Sequence, residues 1–128
     1  MRHIVALFGE SEKGQFQVPH YVNELPQLVD RLGNPPPESE GLFFAIQALL
    51  FQRELIYFRV EAEGYSDPDY FLGLKHLGDR KKTKKLHAVC LPGVGDSKII
   101  HATNAICEMH GSLLITSQKD LYDYLTSS

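Results

Sequence analysis

The stretch Leu86-His87-Ala88-Val89-Cys90-Leu91-Pro92-Gly93-Val94-Gly95-Asp96-Ser97 decides the fold. Its first six residues are a nearly continuous apolar run, the mark of a strand in a parallel sheet with both faces covered. A proline and two glycines then turn the chain. Asp96 or Ser97 can cap a helix whose stripe is Ile99, Ala102, Thr103, Ile106 and Met109, closed by Gly111. Strand, glycine turn and capped helix make one βα unit, and the same alternation continues in both directions.

Downstream, residues 113–116 read as a last strand. Ser117 with Asp120 resembles a capping box for a final helix carrying Leu121, Tyr122 and Leu125. Upstream, residues 79–85 form a basic turn. The helix before it opens at Asp67-Pro68, with proline at the first helical position, carries Tyr70, Phe71, Leu74 and Leu77 inward and closes at Gly78. Residues 54–62 alternate, with Ile56, Phe58 and Val60 on one side and Tyr57, Arg59 and Glu61 on a wetter side, as for a strand near a sheet edge.

Residues 3–8 are a buried strand stopped by Gly9, and residues 15–18 are a short extended piece before Pro19. Asn23 caps a helix with Leu25, Leu28, Val29 and Leu32 on one face, and Gly33 closes it. The triplet Pro35-Pro36-Pro37 makes a rigid corner. Ser39 caps a mostly apolar helix over residues 40–52. The order predicts a single three-layer α/β domain over residues 1–128, Rossmann-like or flavodoxin-like. Its mainly parallel sheet of four to five strands has helices on both faces, with the four main strands in the order 2-1-3-4.

A chain of 128 residues with 43% hydrophobic and 23% charged residues suits one domain with a substantial core. The net charge of −3 gives no general attraction to nucleic acid or an anionic membrane. Two cysteines make no disulfide framework, no signal-peptide pattern opens the chain, and no apolar stretch is long enough to span a bilayer. A cytoplasmic protein without a cofactor is the expectation.

In a parallel sheet ligands bind beyond the carboxyl ends of the strands. There, Gly9, Glu10, Ser11 and Lys13 would face Gly93, Gly95, Asp96 and Ser97 across a crevice. A nucleotide-like or phosphorylated ligand would take backbone N–H groups from the glycine turn and charge from Lys13. The complete phosphate-loop and dinucleotide signatures are absent. Whether the protein is an enzyme stays open.

Other chemistries are only partly spelled. Cys90 stands before Asp96-Ser97 at the spacing of a cysteine phosphatase loop, but aspartate replaces the arginine that grips phosphate. Cys107 and His110, with His101, have metal-ligand spacing without a second pair. Glu61, Glu63, Asp67 and Asp69 crowd one strand end near Glu10 and Glu12, with Tyr65, Tyr70 and Phe16 near enough to stack on a base or sugar, as in small glycosyl-transferring enzymes.

Leu91-Pro92-Gly93-Val94-Gly95 also resembles the hairpin of helix-hairpin-helix DNA-binding motifs, across residues 84–103. That resemblance implies a helix before the hairpin and phosphate contacts from the hairpin amides, with Arg80, Lys81, Lys82, Lys84 and Lys85 adding charge. It departs from the family where Ile99 replaces a small alanine. A non-enzymatic interaction or regulatory module is the remaining class, using residues 42–51 or the Tyr57 face, and a homo-oligomer would suit it.

Overall fold

The computed structural model describes residues 2–127. Ten elements follow one another: β1 (Ile4–Gly9), β2 (His20–Val22), α1 (Leu25–Leu32), α2 (Gly41–Leu50), β3 (Glu54–Arg59), α3 (Asp67–Gly78), β4 (Ala88–Cys90), α4 (Ser97–His110), β5 (Leu113–Ile115) and α5 (Gln118–Thr126). They build a five-stranded sheet in the order β2-β3-β1-β4-β5. β3, β1, β4 and β5 run parallel, which is the expected 2-1-3-4 arrangement, and β2 adds an antiparallel edge.

Alternation along each strand sends side chains to two cores. Val5, Leu7, Leu55, Tyr57 and Cys90 point to one face, where α1, α2 and α5 cover them. Ala6, Phe8, Ile56, Phe58 and Val89 point to the other, under α3 and α4. The result is three layers of α/β structure. Phe8 stacks on Phe58 and Tyr70 at centroid distances of 4.8 and 5.4 Å, which fixes α3 over the centre of the sheet.

Several local readings are corrected. Of the extended piece over residues 15–18 only Phe16 pairs, in a single parallel bridge to Arg59, and the strand itself is His20–Val22, after Pro19, where Tyr21 and Val22 pair with Ile56 and Leu55. That pairing puts β3 inside the sheet, so Tyr57 is fully buried and its face is not a wet one. The caps move by one residue: Glu24 precedes α1 and Glu40 precedes α2. Asn23 instead donates its N–H to Gln27, and the Ser39 hydroxyl donates to the Pro36 carbonyl. Val29, Phe71 and Tyr122 face outward while Leu28, Tyr70 and Tyr124 are buried. Asp96 and Ser117 cap α4 and α5 as read, accepting from Lys98 N and Asp120 N.

Candidate functional site

At the carboxyl end of β1 the backbone runs against the start of α2. A Cβ on Gly9 would stand 2.5 Å from the Gly41 Cα and from the Tyr57 hydroxyl, so both glycines are needed for the approach. The first amides of α2 and the amide after β1 therefore converge on one point. In βα folds that point is an anion site.

Here the chain fills it with its own carboxylate. Glu63 Oε2 accepts from Glu10 N at 2.8 Å and Gly41 N at 2.9 Å, and Oε1 accepts from Glu40 N at 2.8 Å. In return Glu63 N donates to Glu10 Oε2 at 2.9 Å. The next residue, Gly64, sits at φ +89°, so close to the Gly93 carbonyl that a Cβ would reach within 2.4 Å. Its N–H donates to the Tyr70 hydroxyl at 2.8 Å. Residues 63–64 thus bridge the loop after β1 and the turn after β4.

Beyond that bridge, each half of the expected crevice is held by contacts of its own. Ser11 Oγ donates to the Lys13 carbonyl and Lys13 N donates to the Leu32 carbonyl, folding this loop back over the end of α1. Arg59 adds a 2.6 Å bond to the Gly14 carbonyl and lies 4.2 Å over the Phe16 ring. On the other side Asp96 places its own carboxylate at the start of α4, 2.8 Å from Lys98 N. Gly93 needs its φ of +78°, whereas Gly95 has no atom within 4 Å of a Cβ position and no left-handed φ. Gly9, Glu10 and Gly93 are gathered around residues 63–64, while no hydrogen bond among the described residues joins Lys13 to Gly95, Asp96 or Ser97.

The phenol hydroxyls in this region stay neutral. Burial, with Glu63 and Glu10 nearby, pushes the Tyr57 phenol well above its ordinary value, and it donates to the Glu10 carbonyl at 2.9 Å. Burial also raises Tyr70. The same cause raises both thiols: Cys90 is fully buried, and Cys107 is also pushed up. A thiol held neutral in this way is no nucleophile, so the phosphatase-like spacing around Cys90 has no chemistry behind it.

The DNA-binding resemblance fails on geometry. The segment before the hairpin is β4, paired on both edges with β1 and β5, where the motif requires a helix. The hairpin leaves the carboxyl end of β4, whereas the lysines of residues 82–85 precede its amino end. His110 Nε2 donates to the Leu77 carbonyl, 2.8 Å away. Among the described residues no group of three or more His, Cys, Asp or Glu side chains could hold a metal.

A partly open cavity lies at the opposite end of the sheet. With a volume of about 400 Å³, it opens where β1, β2 and β3 meet, beneath the segment that leads from α3 to β4. Ile4, Val22, Leu55 and Ile56 give it an apolar floor, and Lys82, Lys84 and Lys85 stand around it with Glu54. Thr83 also lines it. This residue is only 3% exposed, and its hydroxyl is buried with no hydrogen-bond partner. A second cavity of about 420 Å³ adjoins Lys82 on the side of His76 and Asp79. None of the eight residues expected at the carboxyl-end crevice lines either cavity.

No protein-family model, no curated protein and no solved structure matches this chain.

The residues around the amino-end cavity escaped sequence reading because they come from four separate segments. The one signal was the basic run itself, which reads as a solvated turn when taken alone. No helix among the described residues is long and apolar enough to cross a membrane.

Proposed function

We propose that the chain is a small-ligand-binding α/β domain whose site is the amino-end cavity rather than the carboxyl-end crevice. One observation carries this reading: a space of about 400 Å³ with an apolar floor and polar groups at its rim. That volume falls within the range of ligand pockets, roughly 300–1,000 Å³, and pockets of this kind are mostly apolar with a few placed polar groups. No complete catalytic constellation adjoins it, so binding, not turnover, is the activity proposed.

The test uses N-phenyl-1-naphthylamine, a neutral dye that fluoresces in apolar surroundings. Saturable binding by the folded protein supports the reading, provided that Asn23→Trp or Gln27→Trp at the cavity mouth abolishes it. Binding that both tryptophan variants leave intact places the ligand elsewhere and overturns it.

A second reading keeps the carboxyl-end residues Gly9, Glu10, Ser11, Lys13, Gly93, Gly95, Asp96 and Ser97. It is favoured by Gly95, a glycine for which neither a backbone angle nor a close neighbour gives a reason. A ligand approaching the backbone there would supply one. Because Glu63 and Asp96 already place carboxylates at the two helix starts, the neutral part of a nucleotide-like ligand suits this position better than its phosphate.

A further inference from the structure

We infer that the amino-end cavity takes an anionic amphiphile: a small molecule with an apolar body and one carboxylate, sulfonate or phosphate group. This rests on the proposed function and adds the chemical class. The floor, from Ile4, Leu55 and Ile56, offers nothing to a polar ligand. The charge around it is lopsided even without Lys85, with Lys82 and Lys84 against Glu54. Neither Lys82 nor Lys84 joins an ion pair among the described residues. Both are exposed, so their stems can lie along the rim while their ammonium groups reach inward.

Thr83 is the independent observation. A hydroxyl buried without a partner is uncommon, because burying it unpaired carries a desolvation penalty. It sits between the lysines in the cavity lining, and turning its hydroxyl from the protein side toward the cavity would give it an anionic oxygen as the missing acceptor. The opposite end of the sheet shows the reverse polarity. Glu10, Glu12, Glu61, Glu63 and Asp96 follow the carboxyl ends of the strands, outnumber Lys13 and Arg59 and disfavour an anion there.

The experiment compares two dyes on one skeleton: 1-anilinonaphthalene-8-sulfonate and the neutral N-phenyl-1-naphthylamine. The sulfonate is expected to bind about tenfold more tightly, the size of one charge-assisted hydrogen bond. Lys82→Gln with Lys84→Gln should remove that preference and leave the neutral dye unchanged, since the floor is intact. Free octanoate should displace the sulfonate dye. Equal affinity for both dyes, or a preference that survives the double variant, overturns the anionic class while leaving the pocket in place. Failure of both dyes to bind removes the pocket itself. Co-sedimentation with phosphatidylglycerol vesicles that octanoate does not relieve overturns the free-ligand form.

Discussion

The Glu63 carboxylate accepts the N–H of Gly41 at 2.9 Å, so a residue from the loop after β3 caps the helix that precedes β3. The same carboxylate takes Glu10 N and Glu40 N. A helix start left open in this position attracts a phosphate. Here the chain supplies the anion, and the carboxyl-end face is drawn together by it.

Removing that carboxylate leaves three amides without an acceptor. Glu63→Ala should cost about 2–3 kcal/mol, since a buried donor left unpaired carries a penalty of about 1–3 kcal/mol and water can reach the partly exposed Glu10 and Glu40 amides. Added formate should restore stability to the variant more than to the parent. Urea unfolding with and without formate reads both, and equal formate effects on the two proteins would contradict the capping role.

The glycines divide into two kinds. Gly9→Ala drives a methyl into the Gly41 Cα and the Tyr57 hydroxyl and should destabilise by about 2–3 kcal/mol. Gly95→Ala meets open space and should change stability by about 0.5 kcal/mol at most. Thermal unfolding of the two variants checks the contrast. A Gly95→Ala protein of unchanged stability that loses a nucleoside-like ligand would favour the carboxyl-end reading.

Much of this fold is legible in the sequence. The run from Leu86 to Leu91 declares β4, because a strand covered on both faces carries no polar alternation, and Asp96 and Ser117 declare the starts of α4 and α5. Tyr57 misleads for a related reason. Its alternation with Phe58 suggests a wet face, but β2 and α2 cover it and its hydroxyl is spent on the Glu10 carbonyl. Glu63 is legible as one of the carboxylates at the end of β3 near Glu10, but its capping role is not, since its partners lie 53 and 22–23 residues away. The cavity is invisible for the same reason, being assembled from segments that meet only once the sheet forms.

Thiol reactivity should follow burial. With Cys90 fully buried and its thiol pushed up by desolvation, an alkylating reagent should modify it only through global unfolding. Mass spectrometry of pulse-alkylated protein should show Cys107 labelled first. Prompt labelling of Cys90 in the folded protein would mean that β4 opens locally.

Acid should weaken the fold at the amino end. His87 Nδ1 accepts from Ile4 N at 2.9 Å, its ring stacks on His3 at 4.2 Å, and burial, then His3 and Lys85, holds its pKa below 6.5. A base with a depressed folded value binds more protons unfolded, so its contribution is complete above pH 6.5 and lost as pH falls through the folded value. His76 is lowered too and carries the same sign. His87→Asn keeps an acceptor without titrating, so its urea midpoint should fall less between neutral and mildly acidic pH. Identical slopes would remove His87 from the effect.

The location of the ligand site is tested most directly by amide chemical-shift mapping with 1-anilinonaphthalene-8-sulfonate. Shifts confined to Ile4, Val22, Leu55, Ile56, Thr83 and Lys84 are the expected result. Shifts centred instead on Gly9, Lys13, Gly93 and Gly95, with the amino-end amides unmoved, would contradict it.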